Sequence, residues 1–151
     1  MMHSPYCTDE ANVLDALARQ SFEVLVKRVP VTTSPEPFSD TLEYRALVSY
    51  EGSEYGTVMI SCDEAFAFTF TEAFMQVERP SRFDEDTKDS LGELVNTIGG
   101  NYKGLLGPDT SLGTPTVVIA ADPRELLKGR SVLAHVTCRF EHGTCEVQLL
   151  K

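Results

Sequence analysis

The sequence predicts an α+β (mixed α/β) fold, an antiparallel or mixed β-sheet flanked by helices. Segments of helical apolar period and segments of strand-like alternation follow one another in the order α, β-β, α, α, β, β-β. Two pairs of strand-like segments are joined by short polar or glycine-containing connections, as in antiparallel hairpins. A chain of 151 residues with 42% hydrophobic composition suits a single domain, 1–151, that buries roughly 70% of the surface its unfolded form exposes.

The first helix is predicted from Thr8 to about Val29. Thr8 is its N-cap, Asp9 and Glu10 complement the dipole in the first turn, and Pro30 closes it. Leu14, Leu17, Ser21 and Leu25, joined by Val13 and Val24, form the inward face. Val31 to Asp40 is a loop by composition, with Pro35 and Pro37 opposing regular structure. Thr41 to Tyr50 and Tyr55 to Cys62 form the first hairpin around Glu51-Gly52-Ser53-Glu54. Phe66, Phe68 and Phe70 alternate like a strand, but Asp63 is a good N-cap and Ala65, Ala67 and Ala73 favour a helix from Asp63 to Gln76. Val77 to Phe83 is the next loop.

After the helix of Asp86 to Gly107, Pro108 to Thr114 reads as a Gly/Pro loop. Thr116 to Ala121 (TVVIAA) reads as a strand buried on both faces. Asp122 to Gly129 is a polar connection with one short turn around Arg124 to Leu127. Ser131 to Glu141 and Thr144 to Leu150 make the second hairpin, with His142-Gly143 as its turn. Five strands and three helices result.

The Asp86 to Gly107 helix carries the constellation that looks like chemistry. Leu91, Leu94, Val95, Ile98, Tyr102, Leu105 and Leu106 recur at core-facing spacing. Asp89, Glu93, Asn96, Gly100 and Lys103 lie along the opposite stripe, which sets a carboxylate and a carboxamide one turn apart with a glycine one turn further on. A Glu and an Asn on a solvated face are ordinary by themselves. Gly99 and Gly100, however, each cost about 1 kcal/mol relative to Ala in a helix interior, so they need a reason. Either glycines such as Gly100 and Gly104 allow another helix to pack closely, or Gly100 keeps the stripe flat for an approaching partner.

Composition excludes several functions. Thirteen basic against 23 acidic residues, net −10, opposes binding to nucleic acid or to an anionic membrane surface. No apolar run approaches the ~20 residues that span a bilayer. The opening MMHSPYCTDEANVL lacks an export-signal pattern, so a cytoplasmic setting with reduced thiols is expected. Cys7, Cys62, Cys138 and Cys145 have no zinc-ligand spacing. A His142-Gly143 turn would pair Cys138 with Val147 and Cys145 with Phe140, which opposes a cross-strand disulfide. His3, His135 and His142 are dispersed, and no serine or cysteine sits in a nucleophile elbow. Gly99 and Gly104 have P-loop spacing, but Leu105 and Leu106 replace the lysine and the hydroxyl residue. Asp84-Glu85-Asp86 is a solvated helix N-terminus suited to the dipole.

Ser90-Leu91-Gly92-Glu93-Leu94-Val95-Asn96-Thr97-Ile98-Gly99-Gly100-Asn101, followed by Thr114-Pro115-Thr116-Val117-Val118, resembles the signature helix and following strand of the CheX/CheC/FliY phosphatases of bacterial chemotaxis. Their hallmark is E-x-x-N. The element order of residues 10–150 is compatible. The resemblance implies a phosphatase that accelerates hydrolysis of the aspartyl phosphate on a CheY-like response-regulator receiver domain. Glu93 would pair with the receiver's active-site lysine, and Asn96 would orient the attacking water. Asp89, Gly100 and Lys103 would join the partner-binding surface. The resemblance implies no cofactor of the chain's own, the Mg ion belonging to the receiver, and it brings a homodimer as an expectation. Laying Leu14 to Leu17 on Leu91 to Leu94 puts Ala16 and Arg19 where Glu93 and Asn96 stand, so one site is expected, as in CheX, where CheC-type relatives have two. The alternatives are a binding module that docks on a receiver without hydrolysis, and a structural dimer subunit whose Gly100 and Gly104 serve packing.

Overall fold

The computed structural model describes residues 9–35, 42–119 and 122–151. The elements are α1 (Asp9–Val26), β1 (Thr32–Ser34), β2 (Tyr44–Glu51), β3 (Gly56–Cys62), α2 (Glu64–Met75), α3 (Glu85–Leu106), β4 (Ser111–Leu112), β5 (Thr116–Ile119), α4 (Pro123–Leu126), β6 (Val132–Phe140) and β7 (Gly143–Leu150). The seven strands pair antiparallel in the order β1-β6-β7-β3-β2-β4, with β5 also pairing β2. The α+β expectation holds. Thr8, His3, Cys7, Ala120, Ala121 and the end of the predicted Val31 to Asp40 loop lie outside the described residues.

Pleating sorts the strands into two faces. The rows Ala134-Leu149-Val58-Val48, Val136-Val147-Ile60-Ala46 and Cys138-Cys145-Cys62-Tyr44 run across β6, β7, β3 and β2 and are buried with the helices. Above them α1 lies on β6 and β7, α2 on β7, and α3 on β2 and β3. The apolar helix faces and this sheet face therefore form one core.

Most of α1's inward face follows the sequence reading, but Val13 and Val24 point outward. Phe22, fully buried, takes the place of Val24 and meets the rings of Phe66 and Phe140 edge-on at 6.0 and 4.8 Å. The helix stops at Val26, three residues short of the expected end, where Lys27 adopts a left-handed φ of 57°. Asp63 caps α2 as expected. Its Oδ1 accepts from the Phe66 amide at 2.9 Å, and the carboxylate also accepts from the Thr144 amide at 3.2 Å. One side chain thus holds a helix N-terminus to β7.

Several boundaries are corrected by tertiary pairing. Thr32–Ser34, inside the expected loop, is drawn into a strand by Thr137 to Arg139 of β6. Ser111–Leu112 pairs with Tyr50 and Glu51. β5 is not buried on both faces: it pairs β2 alone, and Ile119 is 52% exposed. The second hairpin turns at Glu141-His142, because Phe140 pairs with Gly143, and that shift places Cys138 opposite Cys145. The expected pairing of Cys138 with Val147 was wrong by two positions. Cys62 lies opposite Cys145 on the other side, giving three adjacent free thiols, all buried.

The opposite face of the sheet is polar, yet much of it is buried. Thr137-Glu146-Ser61-Arg45 form one row, and each is 8% exposed or less. His135, 3% exposed, places Nε2 3.3 Å from Glu146 Oε1. The chain from β5 must cross the sheet to reach β6, since β2, β3 and β7 lie between them. Burial pulls the Arg45 guanidinium below its ordinary value, and the Glu146 charge opposes that shift.

Burial pushes the Cys62 and Cys145 thiols well above their ordinary value and Cys138 up to about 12. The fold holds the neutral form, so the stability these groups contribute is present below the unfolded thiol value near 9.0 and is lost as pH rises toward the folded values. Buried Tyr50 and half-buried Tyr102 shift in the same sense, desolvation being the main cause in each. The urea midpoint is expected to fall as pH rises above about 9. At about pH 8, none of these three thiols should react with an aromatic disulfide reagent until the protein is unfolded; rapid native reaction would contradict the packing.

Candidate functional site

The site is built on α3. Its N-terminus is fixed by a capping box: Asp84 Oδ1 accepts from the Thr87 amide and hydroxyl, each at 2.8 Å, and Thr87 Oγ1 accepts from the Asp84 amide at 3.5 Å. The backbone hydrogen bond from Thr87 is the main cause holding the Asp84 carboxyl below its usual range. Leu91, Leu94, Val95 and Ile98 are fully buried. At about 1.5–3 kcal/mol for each buried apolar side chain, their burial outweighs the penalty of the helical glycines. Asn101 Nδ2 donates to Ser21 Oγ of α1 at 3.3 Å, and the Tyr102 ring lies 5.4 Å from that of Tyr50. Leu105, expected in the core, is 62% exposed because the helix outruns the sheet there.

With one face so committed, the opposite stripe is outward. Asp89 and Glu93 are exposed, and Asn96, Gly100 and Lys103 are half-buried. The helix brings all five expected site residues onto one surface. Among the described residues, neither the Glu93 carboxylate nor the Asn96 carboxamide has an ion-pair or hydrogen-bond partner. Asp86, read from sequence only as part of a charged N-terminus, falls on the same stripe two turns before Glu93. The corresponding positions of α1 offer nothing similar. Ala16 is exposed, and Arg19 is engaged with Asp15 at 3.0 Å and Thr33 Oγ1 at 2.6 Å.

The α3 glycines divide by surroundings. A Cβ on Gly99 would lie 2.6 Å from Val48 Cγ1, so this glycine is needed for packing, against a strand rather than another helix. A Cβ on Gly100 would meet only Leu112 Cδ2, at 4.0 Å, and one on Gly104 nothing within 4 Å. Among the described residues, no helix packs on Gly100 or Gly104 closely enough to require a glycine there. Sequence reasoning also missed a wall of the site. Thr114 and Thr116 are exposed and Pro115 half-buried, with Pro115 and Val117 lying against Gly92, the neighbour of Glu93. The T-P-T pattern was the only available signal.

No α3 residue lines the cleft of about 880 Å³ between α1 and α2, which has Phe22, Phe66, Phe70 and Phe140 among its walls and both Arg28 and Glu72 beside them. No cluster of His, Cys, Asp or Glu suited to a metal ion occurs among the described residues, and none of their helices is long and apolar enough to cross a membrane.

The structure thus carries an open E-x-x-N stripe, with Glu93 and Asn96 unpartnered among the described residues, on a helix laid over an antiparallel sheet. The family model described as "Chemotaxis phosphatase CheX" matches residues 44–138, and the chain belongs to that family. Among solved structures, the chain resembles CheX in a CheX–CheY–BeF3–Mg complex from Borrelia burgdorferi, with TM-score 0.77 and 18% identity over 95% of this chain and 98% of that one. It also resembles the chemotaxis protein CheX of Vibrio vulnificus, with TM-score 0.73 and 18% identity over 95% of this chain and 100% of that one. The Thermotoga maritima FliY structure is similar at TM-score 0.58 and 18% identity, over 99% of this chain and 91% of that one. Among curated proteins, no sequence matches.

The glycine environments predict opposite stability effects. Gly104→Ala is expected to stabilise the protein by about 0.5–1 kcal/mol, read as a higher urea midpoint, and Gly99→Ala to destabilise it. Equal effects at the two positions would contradict the packing.

Proposed function

We propose that the protein accelerates hydrolysis of the aspartyl phosphate on a CheY-like response-regulator receiver domain, in chemotaxis or a related two-component pathway. The observation that carries this reading is the unpartnered Glu93 and Asn96 pair on the outer stripe of α3, in a chain of the CheX family. The chemistry gives the two side chains separate tasks. Glu93 is exposed and charged, so it can reach the receiver's lysine as a tether. Asn96, one turn on, can both donate to and accept from a water while adding no negative charge beside the phosphoryl oxygens. A carboxylate in its place would repel them.

In this mechanism Asn96 holds the water in line with the scissile bond. The water oxygen forms a new bond to phosphorus as the bond to the aspartyl oxygen breaks, inorganic phosphate leaves, and the receiver regains its carboxylate. Positioning and charge neutralisation do most of the work in such transfers. Neutralisation comes from the receiver's lysine and Mg ion, so the chain needs no cofactor of its own. A cytoplasmic setting accompanies such a partner. The net charge of −10 favours approach to a lysine-bearing face, with attraction effective within about 8 Å at physiological salt.

The test follows the decay of a phosphorylated cognate receiver with and without the protein. Asn96→Ala is expected to lower kcat about 10²-fold with docking retained, a loss typical of one transition-state polar contact. Glu93→Ala is expected to raise KM roughly tenfold, about 1.4 kcal/mol of docking free energy. Full activity in either variant would overturn the assignment of that residue. Docking by the wild type without acceleration would replace the enzyme by a receiver-binding module.

A further inference from the structure

The flank of α3 beside the Glu93 and Asn96 stripe carries Gly92 and Gly99, seven residues and hence about two turns apart. At Gly92 a Cβ would make ordinary contacts of 3.8 and 3.9 Å with Val117 and Pro115; at Gly99 it would collide with Val48 Cγ1 at 2.6 Å and press on Leu112 Cδ1 at 3.4 Å. Val48 is 1% exposed and stands in the middle of β2, paired with Val58. It has little room to yield, and its β-branched side chain has few rotamers. The height of α3 over β2 is thus set where Gly99 meets Val48, one turn from Asn96.

The same strand fixes the other wall of the site. The Gly113 amide donates to the Ser49 carbonyl at 2.8 Å, next to Val48 in β2, and so pins the start of the exposed Gly113 to Thr116 segment. Helix and segment are both referenced to residues 48–49. A receiver resting on both surfaces would meet the Asn96 carboxamide at a depth determined by the Gly99 contact.

Building on the phosphatase reading above, we propose that Gly99 is a positioning residue for that reaction, and that the receiver's footprint includes the Gly113 to Thr116 segment as well as the α3 stripe. A methyl group at Gly99 lifts α3 away from β2. The reacting geometry then fails while the tether at Glu93, on a long flexible side chain, still engages.

The experiment is a size exchange read by steady-state kinetics on the phosphorylated receiver. Gly99→Ala is expected to lower kcat at least tenfold with KM changed less than threefold. Adding Val48→Ala, which removes the Cγ1 methyl that faces residue 99, should return kcat to within about threefold of wild type even though the core then lacks both Val48 methyl groups. Gly104→Ala, which meets nothing, should leave both constants unchanged. Full activity of Gly99→Ala overturns the proposal. So does a folded Gly99→Ala/Val48→Ala protein with kcat still at least tenfold below wild type, an arm that remains available if Gly99→Ala alone does not fold. A wild-type protein that fails to accelerate hydrolysis overturns the phosphatase reading itself, and the positioning role with it.

Discussion

The contact between a helix backbone and a strand side chain, Gly99 of α3 on Val48 of β2, is the constraint around which α3 and its outer stripe are arranged. Helix burial is driven by Leu91, Leu94, Val95 and Ile98, all fully enclosed, and their combined hydrophobic gain exceeds what glycine takes from helix stability. Hydrophobic burial alone fixes which side of a helix faces the sheet, but it leaves the depth of contact open. Gly99 supplies that second specification. The outer stripe then inherits its position from the core beneath it, and Glu93 and Asn96 stand on a rigid element instead of a loop.

The remaining architecture holds α3's support in place from both sides of the sheet. On the helix side, Asp63 joins α2 to β7 through three hydrogen bonds, and α1 reaches α3 through Ser21 and Asn101. On the other side, Arg45, Glu146, Thr137 and His135 form a buried polar layer. Glu146 acts on Arg45 as an opposite charge, and His135 Nε2 lies 3.3 Å from Glu146 Oε1. The opposite charges of Arg45 and Glu146 offset part of the cost of withdrawing both from water.

The sequence was most informative where local chemistry and tertiary demand agree. α3 is legible because its apolar period, its acidic first turn and Asp84 all point the same way, and the α2 ambiguity resolved to a helix through Asp63. The candidate stripe was legible for the same reason, since helical spacing alone places Asp89, Glu93, Asn96, Gly100 and Lys103 together. β1 and β4 were not, because strands of three and two residues owe their conformation to distant partners. The exposed Ile119 could not be distinguished from a core residue, since composition does not say which strand is an edge. The row of thiols was hidden by a turn placed one residue too late. The burial of Arg45 and Glu146 on the opposite face of the sheet had no local signal, since neither residue type reads as a core position.

α3 has two opposed faces, a buried one that sets its position over the sheet and an open one that carries Glu93 and Asn96, on which the proposed receiver would dock with its own phosphoryl group and metal. Mapping of a receiver carrying a stable phosphoryl analogue onto the isotopically labelled protein by amide NMR tests this most directly. The account predicts that the largest shifts fall on the Asn96 side-chain amide and on the backbone of residues 89–103 and 113–116. Shifts concentrated instead on the cleft between α1 and α2, or on the polar face of the sheet, would contradict it.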